Sequence, residues 1–301
     1  MGALSLINAI FHDENRAIDY LEELRWSDGR CCPHCGEIGN SGKVASKNHR
    51  YGLYYCNGCK KTFTVTVGTF FQRSKVPLNK WLLLIYLMTT AKKGRPALEL
   101  HRQLGLTYNT AWTMGHKVRS AMAPTDVELL KKLGGPSRPV EVDETYWGTQ
   151  YKKMPGQRGW GHKMKIVSLV ERGRNGRKWS FHVPDTKAKT ILPLLIDHID
   201  RRTIIMTDES GIYNRVWEHF RSHQTVVHSK WQFADGDAYT NTVEGSFSLV
   251  KRKLRGTHHQ VGKEHLQTYL YEMDYQWNNR GIAPADLFIK TVKRMNECRQ
   301  S

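Results

Sequence analysis

The chain predicts an α/β layer domain preceded by a small cysteine-bearing module and a helical segment. Three observations carry this expectation. Beyond residue 139 the hydrophobic pattern runs strand, strand, strand, helix, strand, helix. Two Cys-x-x-Cys pairs lie near the N-terminus, and the stretch after them is helical in period. At 301 residues the chain can bury one ordinary core and still carry smaller modules.

Charge narrows the partners. A formal net charge of +18 implies a polyanion, either nucleic acid or an acidic membrane. The longest apolar run, Trp81 to Met88, has eight residues, where roughly 20 are needed to span a bilayer. The start, Met1-Gly2-Ala3-Leu4-Ser5-Leu6, shows neither the basic region of a secretory signal nor the myristoylation pattern. A cytoplasmic protein that meets nucleic acid is the expectation.

The first helix is expected over Ala9 to Leu24, where Ile10, Phe11, Ala17, Ile18, Leu21 and Leu24 recur at helical spacing. Cys32-Pro33-His34-Cys35 and Cys56-Asn57-Gly58-Cys59 follow. Two such knuckles bring four thiolates into a tetrahedron, which suits Zn²⁺ and closes its coordination shell. Gly36 to Tyr55 reads as a hairpin between them and Thr62 to Thr66 as an alternating strand, so residues 1–66 form a helix and a zinc ribbon. Disulfides fit a small secreted domain, and a redox Cys-x-x-Cys normally occurs once, before a helix; neither matches this chain. Cys31 adjoins the first knuckle at a less usual spacing, Cys298 lies near the tail, and His34 reads as a surface residue.

Residues 67–123 read as helices. Trp81, Leu84, Ile85 and Met88 form one apolar stripe, and a second helix runs from about Pro96 to Leu104. Gly105-Leu106-Thr107 turns the chain, and Tyr108 to Ala121 resumes it with Ala111, Met114 and Val118 inward. That is the outline of a helix-turn-helix, whose second helix offers Tyr108, Asn109, Thr110, Thr113, His116 and Lys117 to a DNA groove. A three-helix connector has the same periodicity; the charge and the ribbon favour DNA. Residues 124–138, rich in glycine and proline, read as a linker.

Residues 139–301 carry the α/β pattern. Strands are expected over Val140 to Tyr146, Lys163 to Glu171, Trp179 to Val183 and Thr203 to Thr207, with helices over Thr186 to Ile199 and Ile212 to His223. A short strand, Thr225 to His228, and a helix from Asn241 follow, and Arg172 to Gly176 reads as a hairpin turn with a basic tip. Asp143 and Asp208 each stand where a β-branched strand stops. In the last of these helices Asn241, Glu244, Ser248 and Lys251 share one face, and Val243, Phe247 and Val250 point elsewhere. A carboxylate and a lysine two turns apart, ~10 Å of rise, can hold a divalent metal at one end and a DNA phosphate at the other. The plain alternative is a charged surface helix over a core stripe.

Thirty-five residues separate Asp208 from Glu244, the interval of the Asp-Asp-Glu triad, and on these residues the chain resembles the DDE transposases of bacterial insertion sequences. The resemblance is to the zinc-ribbon, ISXO-like type. It takes in Leu24 to Arg30, the ribbon, the helix-turn-helix, Val142 to Tyr146, Thr207-Asp208, Thr240 to Gly245, Leu249 to Arg252, Gly256 to His259 and Asn278-Asn279-Arg280. It implies a ribonuclease-H-like catalytic domain over 139–301. It also implies two Mg²⁺ (or Mn²⁺) ions, with Asp143 bridging both, Asp208 on one, Glu244 on the other, Lys251 on a phosphate and Arg252 on the DNA beside it. The signature takes Asn or Glu in third place, so Asn241 competes with Glu244, and spacing favours Glu244. Water attack at each element end, then attack of the freed 3′-hydroxyl on target DNA, is the implied reaction, with a homodimer or larger oligomer on double-stranded DNA.

The chain departs from the family at Tyr239, where His is common, and at Gly148-Thr149 before Tyr151-Lys152-Lys153, where Gly-Gly is usual. Tyr146 and Trp147 are expected to pack, and Glu144 and Glu209 to stand beside the site or in solvent. Two other classes share the same features: a DNA-binding regulator descended from such an enzyme, and a metal-dependent nuclease without strand joining.

Overall fold

The computed structural model describes residues 5–44, 49–149, 159, 161–226 and 241–296. Tyr239, Tyr151 to Lys153, the stretch Val227-His228 and Cys298 lie outside the described residues. The chain forms two compact units, Met1–Ala121 with Ile282–Ser301, and Met122–Gly281.

In the first unit, helix α1 (Glu14–Arg25) starts where the Asp13 carboxylate accepts from Arg16 N–H at 3.0 Å, an N-cap. Strands β1 (Ser41–Lys43), β2 (Tyr54–Cys56) and β3 (Thr62–Phe63) form a three-stranded antiparallel sheet in that order. The third strand is shorter than the alternation to Thr66 suggests. Its backbone turns after Phe63, and the Arg25 guanidinium takes the carbonyls of Val65 and Val67 at 2.5 and 2.8 Å, bonds a partner strand would otherwise make. Helices α2 (Leu78–Thr90), α3 (Ala97–Leu104) and α4 (Tyr108–Ala121) follow, and α3 stops at Gly105, whose φ of 61° is the left-handed cap that glycine adopts without strain.

The last helix, α9 (Pro284–Asn296), belongs to this unit and not to the α/β region, which corrects the expected boundary 139–301. The reason lies in its apolar stripe. Phe288 sits 5.9 Å, ring to ring, from both Phe11 and Tyr86, and Leu287, Val292 and Met295 are buried with it. Helix α2 is thereby covered by α1, α3, α4 and α9, so its run Trp81 to Met88 is a core helix. No helix among the described residues is long and apolar enough to cross a membrane.

The second unit begins at Met122, so the whole of the expected linker 124–138 falls inside it. Thr125 and Glu128 form a capping box at helix α5 (Asp126–Leu130). Leu133 is fully buried, Gly134 N–H donates to Glu171 at 2.8 Å and Gly135 N–H to Thr203 Oγ1 at 2.8 Å. The stretch from Lys131 to Pro136 is therefore pinned to the unit, while α5 ahead of it buries no residue. Gly134 serves close approach, since a Cβ there would lie 2.3 Å from the Thr203 hydroxyl, and Gly135 holds a φ of 106° that a side chain would strain.

A five-stranded sheet of order β6-β5-β4-β7-β8 forms the centre. Strands β4 (Val140–Trp147), β5 (Met164–Glu171) and β6 (Lys178–Val183) make an antiparallel meander. After helix α6 (Ala188–His198), β7 (Ile204–Asp208) lies parallel to β4, and β8 (Ser222–Val226) parallel to β7. The helix expected over Ile212 to His223 is two single 3₁₀ turns, Gly211–Tyr213 and Val216–Glu218, followed directly by β8. Tyr213, Val216 and Phe220 still reach the core, so the apolar spacing was real; Ser222 and His223, however, pair with Ile204 and Ile205 and are lost to any helix.

Both faces of the sheet are covered. Val142, Val167, Leu169 and Ile205 pack on α6 and the 3₁₀ turns. Met164, Ile166 and Val170 pack on α7 (Asn241–Lys253) and α8 (Lys263–Asn278). Strand β5 is accordingly buried at every residue, as a strand between two helical layers must be. The edge of β6 is closed by α8: N–H groups of Lys178, Ser180 and His182 donate to Asn278, Asp274 and Gln267 at 2.7, 2.5 and 2.8 Å. Asn278 and Gln267 also donate back, to the carbonyls of Lys178 and Ser180.

Candidate active site and metal centre

The cysteine cluster follows from two like turns. In each knuckle the residue after the second cysteine has a left-handed backbone, Gly36 at φ 77° and Lys60 at φ 59°, and its N–H returns to the first cysteine's carbonyl at 2.9 and 3.0 Å. The four sulfurs of Cys32, Cys35, Cys56 and Cys59 consequently lie within 4.8 Å of one another, over a base of Trp26, Tyr54 and Phe63. Burial works against the Cys32 thiolate, but backbone N–H groups of His34 and Cys35 and hydrogen bonds from Cys35 and Cys56 outweigh it and bring the thiol down to about 7. Cys35 is pushed up to about 12: the Glu37 backbone N–H favours its thiolate, while burial and the other three sulfurs oppose it. Four thiols this close share charge poorly without a cation, and four soft donors in this space fit Zn²⁺. Cys31 stands outside the group, bridged to Ile38.

The carboxylates of the second unit meet through sheet register. Strand β4 pairs with β7 at Val140–Ile205 and Glu141–Met206, where the ladder ends; counted on at the same offset Asp143 and Asp208 stand level just past it, and the charge of Asp208 reaches Asp143. Alternation then decides the faces. Val140 and Val142 point to the α6 side, so Glu141 and Asp143 point to the α7 side. On α7, Val243, Phe247 and Val250 are buried while Asn241, Glu244, Ser248 and Lys251 are exposed, the division that the helical spacing predicts.

Asp143 is pushed up to about 7, first by burial and then by the charges of Glu144, Asp208 and Glu244; the Glu144 N–H, 2.7 Å from its Oδ1, opposes the rise. The three charges that raise it, Glu144, Asp208 and Glu244, are all carboxylates. Glu144 is also raised by burial, and Tyr213 Oη donates to it at 2.5 Å. Asp208 accepts from Ser210 N–H at 3.1 Å, which shapes the turn at the strand end. Among the described residues only the cysteines bring ligand atoms within 4.8 Å of one another, so the acids form a looser cluster.

Three residues not singled out by the sequence position this cluster. Glu141, fully buried, accepts from the Val243 N–H of the first turn of α7 at 2.9 Å with one oxygen, and from Arg172 Nε at 2.6 Å with the other. It caps α7 from β4 and so fixes Glu244 beside the strand that carries Asp143. Arg172, expected at a solvent-facing basic tip, is instead Glu141's buried counter-charge, because the hairpin turn proper begins at Gly173. Tyr213 holds Glu144. The available signal was Glu141 itself, an acid two residues before Asp143 and therefore on its face of the strand.

On the DNA side of the expectations, Tyr108, Asn109, Thr113 and Lys117 are exposed along α4, and Thr110 is half-buried against Thr107 at 2.8 Å. His116 is half-buried with its ring 4.2 Å from that of Trp112, and stands off that stripe. Lys251 and Arg252 are exposed in the last turn of α7.

Residues 132–278 match the model of the ISXO2-like transposase domain, and residues 12–62 that of the transposase zinc-ribbon domain. An "uncharacterized protein in transposable element ISH50" of Halobacterium salinarum is 30% identical over 284 residues, covering 86% of this chain and 89% of the relative. An "uncharacterized transposase-like protein" of Haemophilus influenzae is 29% identical over 100 residues, covering 33% of this chain and 80% of its own length. With the ribbon's four thiols, the β4–β7 register and the acid-bearing face of α7 all lying within these matches, the chain belongs to the zinc-ribbon, ISXO2-like transposase family.

Proposed function

We propose that Met122–Gly281 is a ribonuclease-H-like catalytic domain that cleaves DNA at element ends and joins the ends to a target. The observation that carries this reading is the half-buried Asp143, raised by burial and by the three carboxylates Glu144, Asp208 and Glu244. Such a group gains little from protein neighbours and much from divalent cations, which suits Mg²⁺ and its hard oxygen ligands. Asp143, Asp208 and Glu244 would hold two ions; Asn241, one turn earlier on the same exposed face, is the rival for the third place. When bound, the ions neutralise the phosphodiester and stabilise the entering and leaving oxygens.

The chain's own residues do the positioning. Glu141 ties α7 to β4 and so sets the distance between Glu244 and Asp143. Tyr213 fixes the Glu144 carboxylate on the opposite face of β4. Lys251 and Arg252, two turns beyond Glu244, meet phosphates of the strand being cut. Water attacks first and frees a 3′-hydroxyl, which then attacks target DNA, with no covalent protein intermediate.

In the first unit, α3, Gly105 and α4 serve as a helix-turn-helix, with Asn109, Thr113 and Lys117 directed at a major groove and the ribbon as its neighbour. A homodimer or larger oligomer is the working form on paired ends. The test is incubation of purified protein with labelled duplex carrying the flanking inverted repeats, with and without Mg²⁺. Cleaved and joined products that require Mg²⁺ and Asp143 support the reading. Cleavage without joining identifies a nuclease, and binding with neither identifies a regulator.

A further inference from the structure

We infer that the segment Gln72 to Lys75, between the ribbon and α2, is a second DNA-binding element that grips phosphates beside the groove entered by α4. The inference rests on the helix-turn-helix reading of α4 and adds a further DNA-facing surface to it. The segment is built rigidly from below. Phe71 is buried with its ring 5.6 Å from Trp81, Trp81 Nε1 donates to Ser74 Oγ at 2.9 Å, and Ser74 Oγ in turn accepts from Val76 N–H at 3.1 Å. Gln72 Oε1 accepts from Gly68 N–H at 3.1 Å, closing the turn.

Trp81 supports α4 as well. Lys117 Nζ lies 5.9 Å from the centre of its ring, so the segment and the outer stripe of α4 stand on one strut. Between them run two shallow hollows. One, of about 420 Å³, has Arg73 and Lys117 in its wall; the other, of about 300 Å³, has Ser74 on one side and Asn109, Thr113 and Lys117 on the other. Among the described residues, neither wall contains an acid. Gln72, Arg73 and Lys75 are exposed.

Solvated lysines and arginines are common on a chain of charge +18, and charge alone would carry nothing here. The backbone separates this case from that one. Arg73 has φ 58°, a left-handed conformation that strains any residue with a Cβ. Glycine or asparagine would hold that turn with less strain, yet the position carries an exposed arginine on a turn its neighbours over-determine. A planar, five-donor cation in the wall it shares with Lys117, with Glu14 only in the hollow on its other side, is suited to phosphate oxygens. Because such a grip is on the DNA backbone, it fixes register on the duplex without reading sequence.

The experiment measures affinity of the full chain against salt, using duplex carrying the flanking inverted repeat and a random duplex of equal length. Variants are Arg73→Gly/Lys75→Ala, in which glycine relieves the turn, and Asn109→Ala/Lys117→Ala on α4. Zinc content and thermal unfolding confirm that each variant is folded. Removing one cation from a phosphate flattens the slope of log K against log salt by about 0.9. The first variant should therefore have a slope shallower by about 2 on both duplexes, a tenfold or so smaller change in affinity over a fourfold change in salt. An unchanged slope in that variant, while the α4 variant weakens binding to the repeat, overturns the second element and leaves the α4 reading intact. Unchanged binding in both overturns both.

Discussion

Replacing Asp143 by Asn should make the metal-free protein more stable, and by an amount that depends on pH. In the folded chain the carboxyl titrates at about 7, against ~3.9 in an unfolded peptide, and each unit of difference is about 1.4 kcal/mol. The sign follows from linkage. A carboxyl whose pKa is raised by folding keeps its full contribution below pH ~4, and stability drains away as pH climbs through about 7, because the unfolded chain releases the proton first. At pH 8 without metal the wild type thus bears up to about 4 kcal/mol of ionisation cost at this one residue. Asparagine keeps the acceptor for the Glu144 N–H and cannot ionise. Thermal unfolding in EDTA should show Asp143→Asn melting above wild type at pH 8, by several degrees for a unit of this size, with the gap closing towards pH 4 to 5. Added Mg²⁺ should raise the wild type saturably and the variant little. A variant equal to or less stable than wild type at pH 8, or a gap indifferent to pH, would refute the argument that negative neighbours and burial load this site for a cation.

The other expectations concern residues that the register and the turns bring into place. Glu244→Gln should abolish Mg²⁺-dependent cleavage with partial rescue by Mn²⁺, and Asn241→Ala should be milder; the reverse outcome in a cleavage assay would give the third place to Asn241. Glu141→Ala leaves Arg172 buried without its partner and α7 without its cap, so a drop of about 3–5 kcal/mol is expected in denaturant unfolding. Glu141→Gln, which can still accept from Val243, should keep more of the fold yet lower cleavage rate more than DNA affinity; equal reduction of both would make Glu141 a fold residue only. Metal analysis should find one Zn²⁺ per chain in the native protein and none in Cys56→Ser/Cys59→Ser, and chelation should melt the ribbon while sparing the sheet unit.

Features set by local rules were legible from the chain. The two knuckles declare themselves by spacing, because four thiolates at that interval have few other uses. The division of α7 into Asn241, Glu244, Ser248 and Lys251 outside and Val243, Phe247 and Val250 inside follows from helical period and is what the fold shows. Features that depend on a distant partner were not legible. Residues 124–138 look like a tether in composition, but Gly134 is there because Thr203 stands too close for a Cβ, and the N–H groups of Gly134 and Gly135 bond to distant side chains. Tyr213, Val216 and Phe220 have a helix's spacing, yet strand pairing further on claims the residues a helix would need. Helix α9 is amphipathic by sequence, and nothing in that pattern says which core it will enter. Glu141 shows the same limit within the candidate site: a strand acid can be seen, but the helix end it holds lies a hundred residues away in the chain.

The hydrogen bonds from α8 to β6 set how the sheet can meet other chains. An open strand margin offers a template to any extended peptide, including another copy's. Here the positions of the missing sixth strand are taken by side chains, Gln267 against His182, Asp274 against Ser180 and Asn278 against Lys178, in opposite chain direction. Buried Lys178, 3.5 Å from Asp274, forms an ion pair that an invading strand would have to break. Strand addition by a neighbour is therefore barred on this side of the sheet. The central sheet thereby loses one margin as a route to polymerisation, at the cost of three polar residues on one helix.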